Sequence, residues 1–219
     1  MMGLPVRLPV TAASVDPILK ALLFDLGNVI IGLDFGRAYR TLAGLTQHGA
    51  DEIPKIISRA NLAGPYERGE LSNDEFHKRF CAALDLDLAY EPFEDLWGDM
   101  FMTEPFLEEH FFEGLGRRYR LLLLSNTNDI HYRFLRERYP MLRHFDDFVL
   151  SYEVGTMKPD AKIYNEAIRR AGVAAKEYFF VDDKQINVDA ARQAGIDAVR
   201  FESRDELERQ LRDRGVQWD

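Results

Sequence analysis

Three apolar runs of the sequence each end in polar residues whose oxygens can act as nucleophiles or bind a cation. These residues are Asp25 after the first run, Ser125 and Asn126 after the second, and Asp182 and Asp183 after the third. Short apolar runs closed by a turn signal are typical of buried strands in a parallel sheet. Ligands bind beyond the carboxyl ends of such strands, so we expect these side chains to converge in one crevice.

The three aspartates predict a metal site. Two adjacent carboxylates facing a third repel each other strongly unless a cation lies between them. A site that is rich in oxygen and lacks cysteine suits Mg²⁺, which binds carboxylates, waters and substrate phosphate. Each aspartate alone is equally typical of a turn or a helix N-cap. The occurrence of the whole set at strand ends favours the functional interpretation.

The elements that position these residues alternate between strand and helix. Residues 147–151 and 197–201 form two weaker candidates for strands. Helical patterns lie between the apolar runs; one begins near Asp160 and stops at Gly172, and another stops at Gly195. This alternation predicts an α/β fold of the Rossmann type, with a parallel sheet of five core strands and helices on both faces.

Residues 35–115 interrupt the alternation, because they show amphipathic helical patterns and no convincing buried strand. We therefore predict a core domain, residues 18–34 and 116–219, with a helical domain of residues 35–115 inserted after the first strand. Residues 1–17 contain three prolines and no long apolar run. They are predicted to be a loose extension, and neither a signal peptide nor a membrane-spanning helix.

Composition disfavours several partners and sites. The 219 residues carry a formal net charge of −9, which opposes binding to nucleic acid or to an anionic membrane. A small anionic substrate is compatible with this charge, because a metal and local cations can outweigh it. Cys81 is the only cysteine, which excludes an internal disulfide and a cysteine-based zinc site and predicts a cytoplasmic location. The oligomeric state is left open.

Four short motifs resemble those of the haloacid dehalogenase-like hydrolase superfamily. They are Asp25 with Val29, then Ser125 with Asn126, then Lys158 with Pro159, and finally Asp182 and Asp183 with Asn187. Each motif is weak alone, whereas the four together agree in order and spacing and span nearly everything after residue 18. The resemblance implies a sheet of strand order 5-4-1-2-3, and it implies that the helical insertion is a cap of the C1 type.

The resemblance further implies a Mg²⁺-dependent phosphatase of small phosphate esters. Asp25 would attack phosphorus and form an aspartyl-phosphate that water then hydrolyses. Ser125 and Lys158 would assist catalysis by binding the transferring group and neutralising its charge. The implied metal ligands are Asp25, the Gly27 carbonyl, Asp183 and Asp182, and the implied phosphate-binding residues are Ser125, Asn126, Lys158 and Asn28.

Gly27 departs from the usual phosphatase pattern, in which a second Asp at this position protonates the leaving oxygen. Three explanations stay open: an acidic leaving group such as an anomeric phosphate, an acid supplied by the cap or by a water, or dehalogenation, in which halide leaves without a proton. The segments around Asp25, Glu67–Ser72 and Leu124–Asn128 resemble the α-D-glucose-1-phosphate phosphatase branch, in which glycine is the normal residue. This favours sugar phosphates such as hexose 1-phosphates. The alternatives are a 2-haloacid dehalogenase and a catalytically weak binding or regulatory protein.

The turn at Arg68 and Gly69 resembles the specificity loop of such caps. Arg68 is predicted to contact substrate phosphate or a sugar hydroxyl, while Gly69 lets the backbone approach closely. The same turn is also typical of a solvated joint between two helices, with Ser72 as N-cap and Glu75 completing a capping box.

Overall fold

The computed structural model describes residues 19–218, and this part of the chain contains seven strands in two sheets. The predicted extension, residues 1–17, lies outside the described residues. The strands are β1 (Ala21–Phe24), β2 (Ile31–Leu33), β3 (Phe101–Pro105), β4 (Arg120–Ser125), β5 (Asp147–Leu150), β6 (Tyr178–Asp182) and β7 (Asp197–Arg200).

Five strands form the large sheet in the order β5-β4-β1-β6-β7, and all neighbours are parallel. Numbered among these five alone and read from the β7 edge, the order is 5-4-1-2-3, as the resemblance implies. The α/β prediction and the five predicted apolar strands are therefore confirmed. β1 is the central strand and all four of its residues are buried.

Eleven α-helices surround the sheets within the described range. They are α1 (Phe35–Ala43), α2 (Ile53–Ala60), α3 (Ala63–Glu67), α4 (Asn73–Ala83), α5 (Tyr90–Gly98), α6 (Glu109–Gly116), α7 (Asp129–Arg138), α8 (Ser151–Val154), α9 (Ala161–Ala171), α10 (Gln185–Gln193) and α11 (Arg204–Asp213). None of them combines the length and apolarity that crossing a bilayer requires.

The central strand β1 builds two cores, because successive strand side chains point to opposite faces. Leu22 and Phe24 face one side, where helices α6, α7 and α11 pack; the ring of Phe24 meets that of Phe112 edge to face at 5.2 Å. Ala21 and Leu23 face the other side, against α9 and α10. The sheet is thus covered on both faces, and its carboxyl edge is left for ligands.

Helices α1 to α5 share a third hydrophobic cluster, which contains Phe76, Phe80, Phe93 and the buried thiol Cys81. Tyr66 of α3 stacks on Phe76 of α4 with ring centroids 4.0 Å apart. The predicted capping box at the start of α4 is present: Ser72 and Glu75 exchange hydrogen bonds. We propose that these helices, with a hydrophobic cluster of their own, form the predicted cap over the sheet.

Within residues 35–115, where the sequence predicts no buried strand, the structure has a mostly exposed one: β3 pairs antiparallel with β2 in a two-stranded ribbon. Three of the five β3 residues are exposed, so its sequence lacks the apolar run that marks a buried strand. Gly32 of β2 makes the pairing feasible, because a Cβ there would lie 2.4 Å from the Met102 sulfur. Phe101 of β3 and helix α6 both pack in the cluster of Phe24, so we propose that the cap ends before β3.

Candidate active site

Three carboxylates meet at the carboxyl edge of the large sheet. Asp25 follows β1, Asp182 ends β6 and Asp183 comes next, and β1 and β6 are parallel neighbours. One carboxylate oxygen from each residue lies within 4.8 Å of the other two. The fold therefore brings together the acidic residues that the sequence analysis singled out.

Lys158 lies between two of these carboxylates. Its Nζ is 2.8 Å from Asp25 Oδ1 and 2.6 Å from Asp182 Oδ2, and it also donates to the Leu124 carbonyl at 2.8 Å. The lysine side chain is 1% exposed, so these three acceptors use all its ammonium protons. Three carboxylates and one ammonium leave a formal local charge of −2, which attracts a further cation.

Asp25 keeps one oxygen available for chemistry. Oδ1 accepts hydrogen bonds from the Leu26 amide at 2.7 Å and from Lys158, whereas Oδ2 has no partner among the described residues. Burial raises the pKa of Asp25 to about 7, against the opposing charge of Lys158. A cation beside the carboxylate would favour its ionised, nucleophilic form.

Asp182 and Asp183 have different surroundings although they are adjacent. Burial would raise the pKa of Asp182, but the charge of Lys158 and hydrogen bonds outweigh it and lower the pKa. Its Oδ1 accepts from the Lys184 amide and the Asn187 side chain, both at 2.9 Å. Asp183 is half-buried and receives only a long 3.4 Å contact from Asn28 among the described residues. Asp183 is therefore the freer of the two to bind a cation, and Asp182 is placed to position Lys158.

The loop after β1 has little room for a larger residue at Gly27. A Cβ there would lie 3.2 Å from the Leu33 side chain, which is tighter than ordinary contact. The Gly27 carbonyl accepts no hydrogen bond from the described residues, so it is available to a cation. Asn28 adopts a positive φ of 58° and accepts from the Leu33 amide at 3.2 Å. Its side chain thus connects this loop to Asp183.

The polar residues after β4 divide their roles. Ser125 is buried and its hydroxyl has no recorded partner among the described residues. The Asn126 side chain instead accepts from the Lys158 amide at 2.8 Å and donates to the Lys158 carbonyl at 2.9 Å. Ser125 is therefore free to bind a ligand, whereas the Asn126 amide holds the segment that carries the lysine.

Arg68 and Gly69, which were predicted to contact substrate, do not line the cavity over the site. Gly69 has a φ of +69°, and a Cβ there would lie 2.2 Å from the Tyr152 carbonyl oxygen, so the cap contacts the core closely at this point. Arg68 is about one-third exposed and pairs with Glu70 at 2.6 Å. Glu67 lines the cavity over the site. Sequence analysis missed Glu67, although its position beside the predicted loop was the available signal.

A cavity of about 300 Å³ lies between the cap and the carboxyl edge of the sheet. Gly27, Ser125 and Asn126 form its core end. His131 forms part of its wall with both ring nitrogens hydrogen-bonded, to the Asn128 side chain and the Trp97 carbonyl. Burial lowers the pKa of His131 to about 3, so this ring is neutral.

Comparison with known proteins places this geometry among related enzymes. The model of the haloacid dehalogenase-like hydrolase family matches residues 19–195. A D-ribitol-5-phosphate phosphatase of Bacteroides thetaiotaomicron is 28% identical over 84% of this chain and 93% of its own length. A sesquiterpene phosphatase of Aspergillus oryzae is 26% identical over 81% of this chain and 87% of its own.

A solved structure supports the same relationship. An enzyme of the haloacid dehalogenase (HAD) family from Bacteroides thetaiotaomicron superposes with a TM-score of 0.81 at 26% identity, covering 89% of this chain and 98% of that one. A second crystal structure of that enzyme is a complex with magnesium and inorganic phosphate; it superposes with a TM-score of 0.75 over 85% of this chain and 96% of that one.

Proposed function

The chain belongs to the haloacid dehalogenase-like hydrolases, and we propose that it is a Mg²⁺-dependent phosphatase of small phosphate monoesters that forms an aspartyl-phosphate on Asp25. The observation that carries the proposal is the buried ammonium of Lys158 between Asp25 and Asp182, with Asp183 beside them. Phosphoryl transfer needs positioning and cationic charge where negative charge spreads, and this arrangement supplies both. Relatives named as phosphatases support the assignment.

The donor set fits Mg²⁺. The carboxylates of Asp25 and Asp183 and the Gly27 carbonyl are hard oxygen donors, and the formal charge of −2 is suited to a divalent cation. When bound, the ion would neutralise the phosphate oxygens and align the phosphorus with Asp25. The complex of the Bacteroides enzyme with magnesium and phosphate supports this choice of metal.

The chain's own residues divide the remaining work. Asp25 Oδ2 attacks phosphorus, the P–O bond to the alcohol breaks, and Lys158 balances the charge of Asp25 throughout. The Ser125 hydroxyl donates to a phosphate oxygen. Asp182 and Asn126 keep Lys158 in place through the hydrogen bonds described above.

Two observations point to different classes of substrate alcohol. The likeness to the α-D-glucose-1-phosphate phosphatase branch and the ribitol-5-phosphate relative favour a sugar or polyol phosphate. The sesquiterpene phosphatase relative indicates that an apolar alcohol is also compatible with this fold. A small-molecule substrate and a cytoplasmic location stay part of the proposal.

Phosphate release from p-nitrophenyl phosphate, with Mg²⁺ and with excess chelator, tests the proposal. We expect turnover that chelator abolishes and Mg²⁺ restores, and a higher Mg²⁺ requirement in Asp183→Asn than in the control Asp189→Asn, whose side chain is exposed. Metal-independent halide release from 2-haloacids would instead identify a dehalogenase. Absence of both activities would contradict both enzymatic hypotheses and favour the binding or regulatory alternative.

A further inference from the structure

The wall of the cavity over the site is predominantly apolar. Its volume of about 300 Å³ is at the lower end for small-ligand pockets, which span about 300–1,000 Å³. From the phosphate end at Gly27 and Ser125 it extends into the cap. There its walls include Leu42, Ile57, Phe80, Leu96 and Trp97.

Polar groups are a minority of this wall. Some of them, including the Ser125 hydroxyl and the buried Trp97 indole N–H, have no hydrogen-bond partner among the described residues, whereas others are engaged. The Asn126 amide is paired in both directions with the Lys158 backbone, and both ring nitrogens of His131 are hydrogen-bonded. Among the described residues, no lysine or arginine lines the cavity. A sugar or polyol buried here would place most of its hydroxyls against apolar side chains, and burying unpaired hydroxyls is unfavourable. Burial of an apolar group here would be favourable, because its surface is removed from water.

We propose that the substrate is a phosphate monoester of an apolar alcohol, aromatic or branched alkyl, whose carbon skeleton fills the cavity between the cap and the sheet. This inference rests on the proposed phosphatase function. It replaces the sugar phosphate that the sequence resemblance favours, because the cap side chains, and not the catalytic motifs, contact the alcohol.

A series of phosphate esters tests this directly in the full chain with Mg²⁺. We expect kcat/KM to rise from ethyl to longer and branched alkyl phosphates by up to about tenfold per methylene until the cavity is full. Ribitol 5-phosphate and glucose 1-phosphate should be poorer substrates than geranyl phosphate. A flat series, or a preference for the two sugars, would overturn the substrate inference and leave the phosphatase intact. Inertness of every ester, p-nitrophenyl phosphate included, would overturn both.

A substitution at the cavity wall provides a second test. Ala63 is exposed at the start of α3 and lines the cavity, so Ala63→Trp narrows it without disturbing the cap core. We expect the loss of kcat/KM to be at least tenfold greater for geranyl phosphate than for ethyl phosphate. Ala82→Trp, an exposed position on α4 away from the cavity, is the matched control and should keep the chain-length preference. Equal losses on both esters would contradict the proposal.

A separate observation concerns the proton that such an alcohol needs when it leaves. Gly27 has no side chain to supply it, and Glu67 is the only carboxylate among the described residues that line the cavity. No hydrogen bond or ion pair engages Glu67 within the described range, although burial raises its pKa against the charges of Lys184 and Arg68. The cap side of the site therefore holds a carboxyl group that has no hydrogen-bond or ion-pair partner among the described residues.

We infer that Glu67 is the general acid for the leaving alcohol. As Asp25 forms its bond to phosphorus and the ester P–O bond breaks, the alcohol oxygen takes the proton of the Glu67 carboxyl group. The resulting carboxylate then accepts a proton from the water that hydrolyses the aspartyl-phosphate, which restores the starting state.

Leaving-group dependence distinguishes this role from a structural one. For Glu67→Gln we expect kcat/KM to fall about 10²–10⁴-fold with an alkyl phosphate, but less than about tenfold with p-nitrophenyl phosphate, whose phenol leaves without an acid. Because the ratio of the two substrates does not depend on the folded fraction, it stays informative if the variant is less stable. Equal losses, or no loss with the alkyl ester, would refute the role. Glu91→Gln, an exposed carboxylate of α5, is the control.

Discussion

The two ends of the cavity differ in how their side chains are held. At the sheet edge, Lys158, Asp182 and Asn126 are fixed by short hydrogen bonds in which almost every donor and acceptor is used. At the cap end, Phe80 and Trp97 are held by packing alone within an aromatic cluster. A hydrogen-bonded network tolerates few substitutions, whereas apolar residues exchange with modest cost when volume is kept. The chemistry of the site is therefore rigidly specified, and its choice of alcohol is not.

The largest expected effect is a loss of catalysis at the sheet edge while the cap end still binds its ligand. Asp25→Asn removes the nucleophile and should lower kcat by about 10⁴-fold or more. A non-hydrolysable alkyl phosphonate should still bind, because its carbon chain contacts the cap; calorimetry measures this. Full turnover by Asp25→Asn would contradict nucleophilic catalysis, and Asp189→Asn serves as the control.

Lys158→Met tests how strongly the network depends on one charge. The change leaves two buried carboxylates without their cation, so we expect the free energy of unfolding to fall by about 3–5 kcal/mol together with loss of activity. Urea denaturation measures the loss, with the exposed Lys162→Met as control. Equal stabilities of the two variants would show that the carboxylates are protonated or paired elsewhere.

His131 tests whether the cavity wall must stay uncharged. Its pKa is about 3 in the folded chain against 6.5 ordinarily, so the unfolded chain binds the extra proton between these values and stability falls as pH drops from 6.5 towards 3. At pH 4.5 this linkage is about 2–3 kcal/mol. The stability advantage of the wild type over His131→Gln should shrink by that amount between pH 7.5 and 4.5. A constant difference would refute the linkage; His110→Gln is the exposed control.

The smallest expected effect concerns the contact between Gly69 of the cap and Tyr152 of the core. Gly69→Ala places a Cβ 2.2 Å from the Tyr152 carbonyl at a φ of +69°, so the cap must shift. We expect a stability loss of about 1–3 kcal/mol and a higher KM. Gly172→Ala has a φ of +68° with nothing within 4 Å, and therefore measures the backbone strain alone. Identical effects in both would show that the cap contact does not matter.

The sequence predicted the large sheet well because buried parallel strands are continuous apolar runs. The second apolar run was predicted to be a buried strand and is β4, which ends at Ser125, and the weaker run at Asp147 also proved to be a strand. The exposed strand β3 was missed, because its pairing with β2 depends on a partner about seventy residues away and on the space at Gly32. Local patterns do not contain that information.

The sequence by itself determined the fold class and the grouping of Asp25, Asp182 and Asp183, since strand ends in a parallel sheet meet at one edge. Their catalytic and metal-binding roles, and those of Ser125 and Lys158, stay predictions that the geometry supports. Only the tertiary structure decided that the Asn126 side chain is engaged by the Lys158 backbone and that Glu67 faces the cavity while Arg68 pairs with Glu70. The lining of that cavity was likewise decided by the structure, because the packing of helices α1 to α5 over the sheet, and not residue type, determines which apolar side chains line it.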